Sequence, residues 1–467
     1  MPENRSLPPT YWPVARLRAA YVAAEVSPVQ VAEQALARAR AVNPVLNAYL
    51  EITASLAREQ AFAAERAYRA GSPAPLAGIP VSIKDTFDIA GQVSTRGSLF
   101  YRTNRALRDS GAVRRLRAAG AVFVGKTNTA EFGQSATTEN LLGEPCRNPW
   151  DVSRTPGGSS GGAVASVVSG TATVALGADG GGSIRIPASF TGLVGFKPTH
   201  GLCHDEGGFR AMSDFVCPGP LGWCIEDART MLGVLADRSF ARNSMSASLR
   251  VAWLPRPEGR PVDAQVLATV RAAVRRIAQL GHTVEEPSLD LSGWEDAFGP
   301  LVLDEERRER GHLLAQRTSL TDYERKSLEA AADLDEFAVA RARELLGEYR
   351  SRIESFLRQY DLIVTPTTSV PAFPIDERPR AIAGVPVDWL WGAFPFTAAF
   401  NVPGTPGVSL PCGYSDGLPV GIQIISARNR DDLLLDFAEE LEEALAFDAA
   451  SVKAKWASAQ LEKGVVL

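Results

Sequence analysis

TPGGSSGGAVASVVSGTATVALGADGGGSIRIPASFTGLVGFKP, residues 155–198, is the stretch on which the reading of this chain turns. Gly, Ser and Ala dominate it, a composition that in isolation describes a flexible linker. Two features oppose that reading. AVASVVSG (163–170) and TATVALG (171–177) are apolar runs punctuated by Gly at fixed places, which suits a buried helix followed by a buried strand. Small residues also let backbones approach closely, and Gly adopts backbone angles closed to other residues. The stretch therefore reads as packed core that carries functional turns.

Outward from it, strands and helices alternate. On the N-terminal side, PLAGIPVSIKDTFDIA contains a short strand, 114–119 reads as helix, and AVFVGKTN (121–128) is a buried strand. Residues 13–70 read as helices packed on this core, one of them opened by Ser27 as N-cap with Pro28 at the first helical position. On the C-terminal side, LRVAWLP (249–255), HTVEEPSL, DLIVTPTT (361–368), GVSLPCG and PVGIQIIS read as strands. Residues 262–281, 325–358 and DLLLDFAEELEEAL read as helices. The fold class is α/β: a single large domain, 1–467, with a central mixed β-sheet covered by helices on both faces.

The bulk numbers agree. Of 467 residues, 45% are hydrophobic and 22% charged, as in ordinary globular proteins with ample core. Length alone suggests roughly three domains, but α/β enzymes often exceed that prior as one unit. A net charge of −5 without a Lys/Arg run favours neither nucleic acid nor membrane as a partner. Five scattered cysteines form no disulfide framework, no secretory signal is visible, and no run reaches the about 18 apolar residues of a membrane span. The default location is cytoplasmic.

Four constellations could carry chemistry. Gly120-Ala-Val-Phe-Val-Gly125-Lys126-Thr127 matches the phosphate-loop spacing, but its four central residues favour strand over loop. Gly157-Gly158-Ser159-Ser160-Gly161 matches the nucleophile elbow of α/β-hydrolases, yet NPWDVSRTP before it is no strand. The four histidines, His200, His204, His282 and His312, sit in no suggestive loop. His200, Cys203 and His204 lack a further ligand for zinc, so no metal is expected.

The fourth constellation joins GIPVSIKD (78–85), TPGGSSGG (155–162) and GADGGGSIRIPAS (177–189). Lys84 ends an alternating strand that leads its ammonium inward, and a buried Lys can lose its proton near neutral pH. On its own, Lys84 reads rather as a buried ion pair with Asp85 or another acid. Three glycines before Ser183 let backbone N–H groups converge on one spot, as an oxyanion hole requires.

With GKTNTAEFG, TENLLG, RNPWDVSRTPGGSSGG, GADGGGSIRIPASFTGLVGFKPTHG and GPLGWCIEDA, the chain resembles the amidase signature family. The signature region covers about 75–230, and YDLIVTPT, FNVPGTPGVSLPCG and GLPVGIQII extend the likeness. The resemblance implies a cofactor-free amidase acting on small-molecule amides (linear or cyclic), with Lys84 as base, Ser159 as a bridging serine entered through a cis peptide, and Ser183 as nucleophile. It places the oxyanion hole on the N–H groups of Gly180, Gly181, Gly182 and Ser183, and a substrate contact on Gly133. Asp179, Arg185 and Ser160 fall on supporting positions. Many relatives carry Thr or Ile where this chain has Gly180. A homodimer is the pairing the resemblance suggests. The alternative within the family is the glutaminase component of a tRNA-dependent amidotransferase. VDWLWGAFPFTAAFN (387–401), with Trp389, Trp391, Phe394 and Phe396, matches the segment that lines the acyl pocket and suits an apolar acyl group, although aromatics equally build cores.

Overall fold

The computed structural model describes residues 7–243 and 247–458. Eleven strands form one mixed sheet. In chain order they are Tyr49–Ile52 (β1), Pro80–Lys84 (β2), Val122–Thr127 (β3), Val174–Asp179 (β4), Val194–Lys197 (β5), Cys217–Gly222 (β6), Arg250–Trp253 (β7), Thr283–Glu285 (β8) and Leu362–Pro366 (β9), followed after a small separate hairpin of Ala381–Ile382 (β10) and Val385–Pro386 (β11) by Gly407–Ser415 (β12) and Leu418–Ser426 (β13). Their spatial order is β1-β3-β2-β4-β6-β5-β12-β13-β9-β7-β8. Parallel pairing joins β3, β2 and β4 at one end and β9, β7 and β8 at the other, with antiparallel strands between.

Strand alternation sorts side chains to two covered faces. Val81, Ile83, Val174, Leu176, Leu362, Val364, Ile422 and Ile424 enter one core with residues of the helices Val14–Val22, Gly111–Ala118, Ile225–Leu235, Ala264–Gln279 and Asp431–Leu445. On the opposite face Val122, Val124 and Ala175 pack with the helices Pro28–Leu46 and Gly161–Val168, and Ala252, Ile363 and Ile425 with Trp294–Arg310 and Glu336–Phe356. Each fully buried Val, Leu or Ile contributes about 1.5–3 kcal/mol. Lys84 shares its parity with Ser82, whose hydroxyl lies 2.7 Å from Ser166 Oγ on the Gly161–Val168 helix. Alternation therefore sends the Lys84 ammonium to the face where that helix begins.

The glycine-rich stretch is core, as its apolar runs and their glycine punctuation suggest: Ala163, Val164, Ala165, Val167 and Val168 are all buried. Gly162 shows why small residues are needed, since a Cβ there would overlap the backbone at Asn128 N and Ala48 O. The Ser27 cap is present as a reciprocal box with Gln30.

Several elements differ from the sequence reading. Residues 13–70 are not helical throughout: β1 interrupts them and pairs with β3. The expected 325–358 helix is two, Asp322–Ala332 and Glu336–Phe356, because the Asp335 side chain accepts from Ala338 N at 2.6 Å and starts a new helix. A further helix, Ala450–Ser458, follows the one taken as closing. β6, CPGPLG, carries two prolines in mid-sheet; β5 pairs only with its Leu221 and Gly222, so the missing N–H groups of Pro218 and Pro220 meet a one-sided ladder.

The phosphate-loop lookalike is strand. Its Lys126 lies on β3, fully buried, in an ion pair with Asp85. Asp85 is thus the partner of Lys126, not of Lys84. Removing either member alone leaves a buried charge unpaired, so Lys126→Met and Asp85→Asn should each lower the unfolding free energy by about 3–5 kcal/mol. The double variant should lose clearly less than the sum of the two in denaturant titrations; strict additivity would contradict the pairing.

Candidate active site

Four segments meet at the C-terminal ends of β2 and β4. Lys84 closes β2, Ser159 precedes the Gly161–Val168 helix, Ser183 follows the turn after β4, and Gly133 ends a short helical turn at Glu131–Gly133. Lys84 Nζ lies 2.7 Å from Ser159 Oγ and 3.5 Å from Ala178 O. The Gly158–Ser159 peptide is cis. A Cβ on Gly133 would stand 3.5 Å from Ser159 Oγ and 3.9 Å from Lys84 Nζ, so the absence of a side chain there leaves both atoms open. Burial lowers the Lys84 pKa to about 7, with the charge of Asp179 as the opposing influence. Lys84 makes no ion pair among the described residues, in contrast to Lys126.

The turn after β4 is organised by Asp179. Its carboxylate accepts from Gly182 N (2.8 Å), Ile184 N (3.2 Å) and Arg185 N (3.3 Å), and forms a two-pronged pair with Arg185 Nε and Nη2, both at 2.9 Å. Burial would raise the Asp179 pKa, but the charge and hydrogen bonds of Arg185, helped by Lys197 and Asn401, hold it well below the usual carboxylate range. Arg185 reaches on to Asn401 Oδ1 (2.6 Å) and Gln423 Oε1 (2.7 Å). Ser160 N–H donates to Ser183 O at 3.3 Å, tying the two serine segments together. Gly182 combines φ +129° with a Cβ position that overlaps Thr397 Oγ1, which only glycine satisfies.

Of the four N–H groups expected in the oxyanion cradle, that of Gly182 is engaged by Asp179. Those of Gly180, Gly181 and Ser183 donate to no protein acceptor among the described residues. The Gly180 position is filled from outside: a Cβ there would meet Met212 Sδ at 2.6 Å.

Two cavities adjoin Ser183. One of about 540 Å³ is lined by Lys84, Ser159, Gly180, His200, His204 and Asp205, among others. The second, about 350 Å³, is largely apolar and lined by Gly181, Ile186, Phe298, Val302, Trp389 and Trp391, among others. Of the four aromatics singled out in the 387–401 segment, Trp389 and Trp391 thus face a cavity, with Trp391 set edge-on to Trp294 and Phe298. Phe394 instead packs between Phe190 and Phe373, and Phe396 joins the main core. Asn401, Thr397 and Met212 belong to the site although the motifs do not single them out. FNVPGTPG marks the region of Asn401, but nothing in the local pattern marks Met212.

The histidines differ from expectation on one point, since His200 and His204 do line the larger cavity. His200 Nε2, however, lies 3.1 Å from Ser213 O, and His282 pairs with Glu440. Among the described residues no histidine contacts a serine hydroxyl and no three His, Cys, Asp or Glu side chains gather as a metal site.

Residues 30–435 match the profile of the Amidase family. The chain is 34% identical to the A-type component of a glutamyl-tRNA(Gln) amidotransferase from Carboxydothermus hydrogenoformans, covering 92% of this chain and 96% of that one. It is 33% identical to an acylamidase of Rhodococcus erythropolis, over 92% and 95% of the two chains. The amidotransferase name recurs in other relatives at 31–34% identity. Among solved structures, a bacterial aryl acylamidase of the amidase signature family superposes with a TM-score of 0.86 at 25% identity, over 97% of this chain and 99% of that one. The chain belongs to the amidase signature family. It is an amide-hydrolysing enzyme by class.

Asp179→Asn should strand the buried Arg185 and lower stability by about 3–5 kcal/mol at neutral pH. A carboxylate whose folded pKa is depressed contributes its full stability above its ordinary pKa of 3.8, and that contribution is lost as pH falls through the folded value. Unfolding free energies of the two proteins should therefore converge as pH drops below about 4, and a gap independent of pH would speak against the pairing.

Proposed function

We propose that the protein cleaves small-molecule amides with an apolar acyl group, using Ser183 as nucleophile and Ser159 and Lys84 as proton relay. One observation carries this reading: a buried lysine with no carboxylate in contact among the described residues, its pKa lowered to about 7, sits 2.7 Å from the hydroxyl of Ser159. Neutral Lys84 accepts the Ser159 proton while Ser159 accepts that of Ser183, and Ser183 Oγ attacks the carbonyl carbon. The N–H groups of Gly180, Gly181 and Ser183 are the donors left for the oxyanion; a donor of this kind is worth about 3–4 kcal/mol. The relay then returns the proton to the departing nitrogen as the C–N bond breaks, and water cleaves the resulting ester.

The direction of proton return orients the substrate. Lys84 and Ser159 line the larger cavity, so the amine departs on that side and the acyl group occupies the apolar one. There the charged groups are Glu306, whose carboxylate accepts from Ser327 Oγ, and the exposed Lys326. Glutamine, with an α-ammonium and an α-carboxylate to pair, fits such walls less well than an aryl or alkyl chain.

A second reading has its own support. By name, the relatives favour an A-type component that supplies ammonia within a tRNA-dependent amidotransferase. In that assembly RNA would be brought by partners, and the mild net charge of this chain would not exclude it. Purification of the chain alone, followed by turnover of apolar acyl amides against glutamine, separates the two. Glutamine as the preferred substrate, with activity dependent on added partner proteins, would favour the second.

For the relay, kcat/KM should rise with pH through about 7 as Lys84 loses its proton. Lys84→Ala should lose about 10²–10⁴-fold at pH 7 together with that limb, and Ser183→Ala should abolish the covalent adduct with an acylating inhibitor. Near-normal turnover of Lys84→Ala at pH 7 would remove Lys84 from the mechanism.

A further inference from the structure

Among the described residues, three line both cavities: Gly133, Ser183 and Met212. Gly133 has no side chain and Ser183 is the proposed nucleophile, so Met212 is the one sizeable side chain at the neck. From this juxtaposition we propose that Met212 is the partition between the acyl and amine cavities, and that its thioether determines how bulky an acyl group reaches Ser183. The proposal rests on the amide-hydrolysis reading above.

Three observations support it. The Met212 sulphur occupies the space beside Gly180, 2.6 Å from where a Cβ would be, so it covers one of the cradle glycines directly. Its backbone is held in the left-handed region at φ +52°, which is uncommon for a non-glycine residue and clusters at ligand-binding positions. That backbone is also well anchored. Met212 O accepts from Phe215 N and Val216 N, both at 2.8 Å, and the next residue, Ser213, donates its N–H to Glu305 Oε2 at 2.7 Å.

The result is a fixed base with an adaptable tip. Methionine has three rotatable side-chain bonds and a polarizable sulphur, so it can yield to some acyl shapes and resist others without moving the loop. Phe298 and Trp391, which flank Gly181 at 3.4 and 3.3 Å from its Cβ position, lack that freedom because they pack edge-on against each other. Among these three neighbours of the cradle, Met212 is the adjustable one.

The experiment measures kcat/KM for a series of p-nitroanilides with straight and branched acyl chains from acetyl to decanoyl. Wild type, Met212→Ala, Met212→Leu, Gly180→Ala and Gly180→Ala/Met212→Ala are compared, with thermal melts to establish folding. Met212→Ala should move the optimum toward longer or branched acyl groups, raising kcat/KM for these about tenfold and lowering it for acetyl, mainly through KM. Met212→Leu should keep the wild-type profile. Gly180→Ala should lose about tenfold across the series, and the double variant should recover most of it because the added methyl takes the vacated space. An unchanged acyl profile in folded Met212→Ala, or no recovery in the double variant, overturns the partition while leaving amide hydrolysis standing. Wild-type protein that cleaves no member of the series overturns both.

Discussion

The Asp179 carboxylate holds the glycine-rich turn after β4 in shape. It sits at the end of β4, fully buried, and gathers the N–H groups of residues 182, 184 and 185 together with the Arg185 guanidinium. An unpaired charge at such depth would cost several kcal/mol, so its partners are fixed in turn. Arg185 carries the constraint to Asn401 and Gln423, joining the turn to segments more than two hundred residues away. What this network holds in place is the backbone from 180 to 183, whose remaining N–H groups are open.

The same carboxylate limits how far Lys84 can shed its proton. Burial drives the ammonium toward neutrality, and the negative charge of Asp179 opposes it; a value of about 7 is the balance. Lys126 on the neighbouring strand has different surroundings. It is equally buried but touches Asp85, so its ammonium is compensated by direct contact. Two lysines at similar depth in one sheet thus take different parts, and the difference lies in whether a carboxylate lies within contact.

Much of this was legible in the residues. The Val81-Ser82-Ile83-Lys84 alternation located the lysine, and the GGSSGG and GGGSIR blocks marked turns that are dense rather than loose. Three kinds of feature were not legible. β6 was hidden because its prolines argue against a central strand, and only the short reach of β5 makes them tolerable. The break at 333–335 was hidden because helical periodicity continues across it. Met212 was hidden because its meaning depends on the missing side chain at Gly180, far upstream, which no local pattern reports. The 387–401 aromatics were divided between cavity and core for the same reason: spacing does not say which ring faces an empty space.

The walls around Ser183 come from places other than its supports. Lys84 sits on the sheet and Ser183 on the turn that leaves it, whereas His200 and Met212 belong to the β5–β6 connection and Phe298, Tyr323 and Trp391 to helices and loops outside the sheet. Loop residues tolerate replacement far better than sheet residues. A lineage built this way can drift toward new chemicals by editing its periphery while the proposed relay is inherited intact. Descendants sharing a third of their residues can then differ widely in diet, and kinship alone becomes a poor guide to what each one consumes.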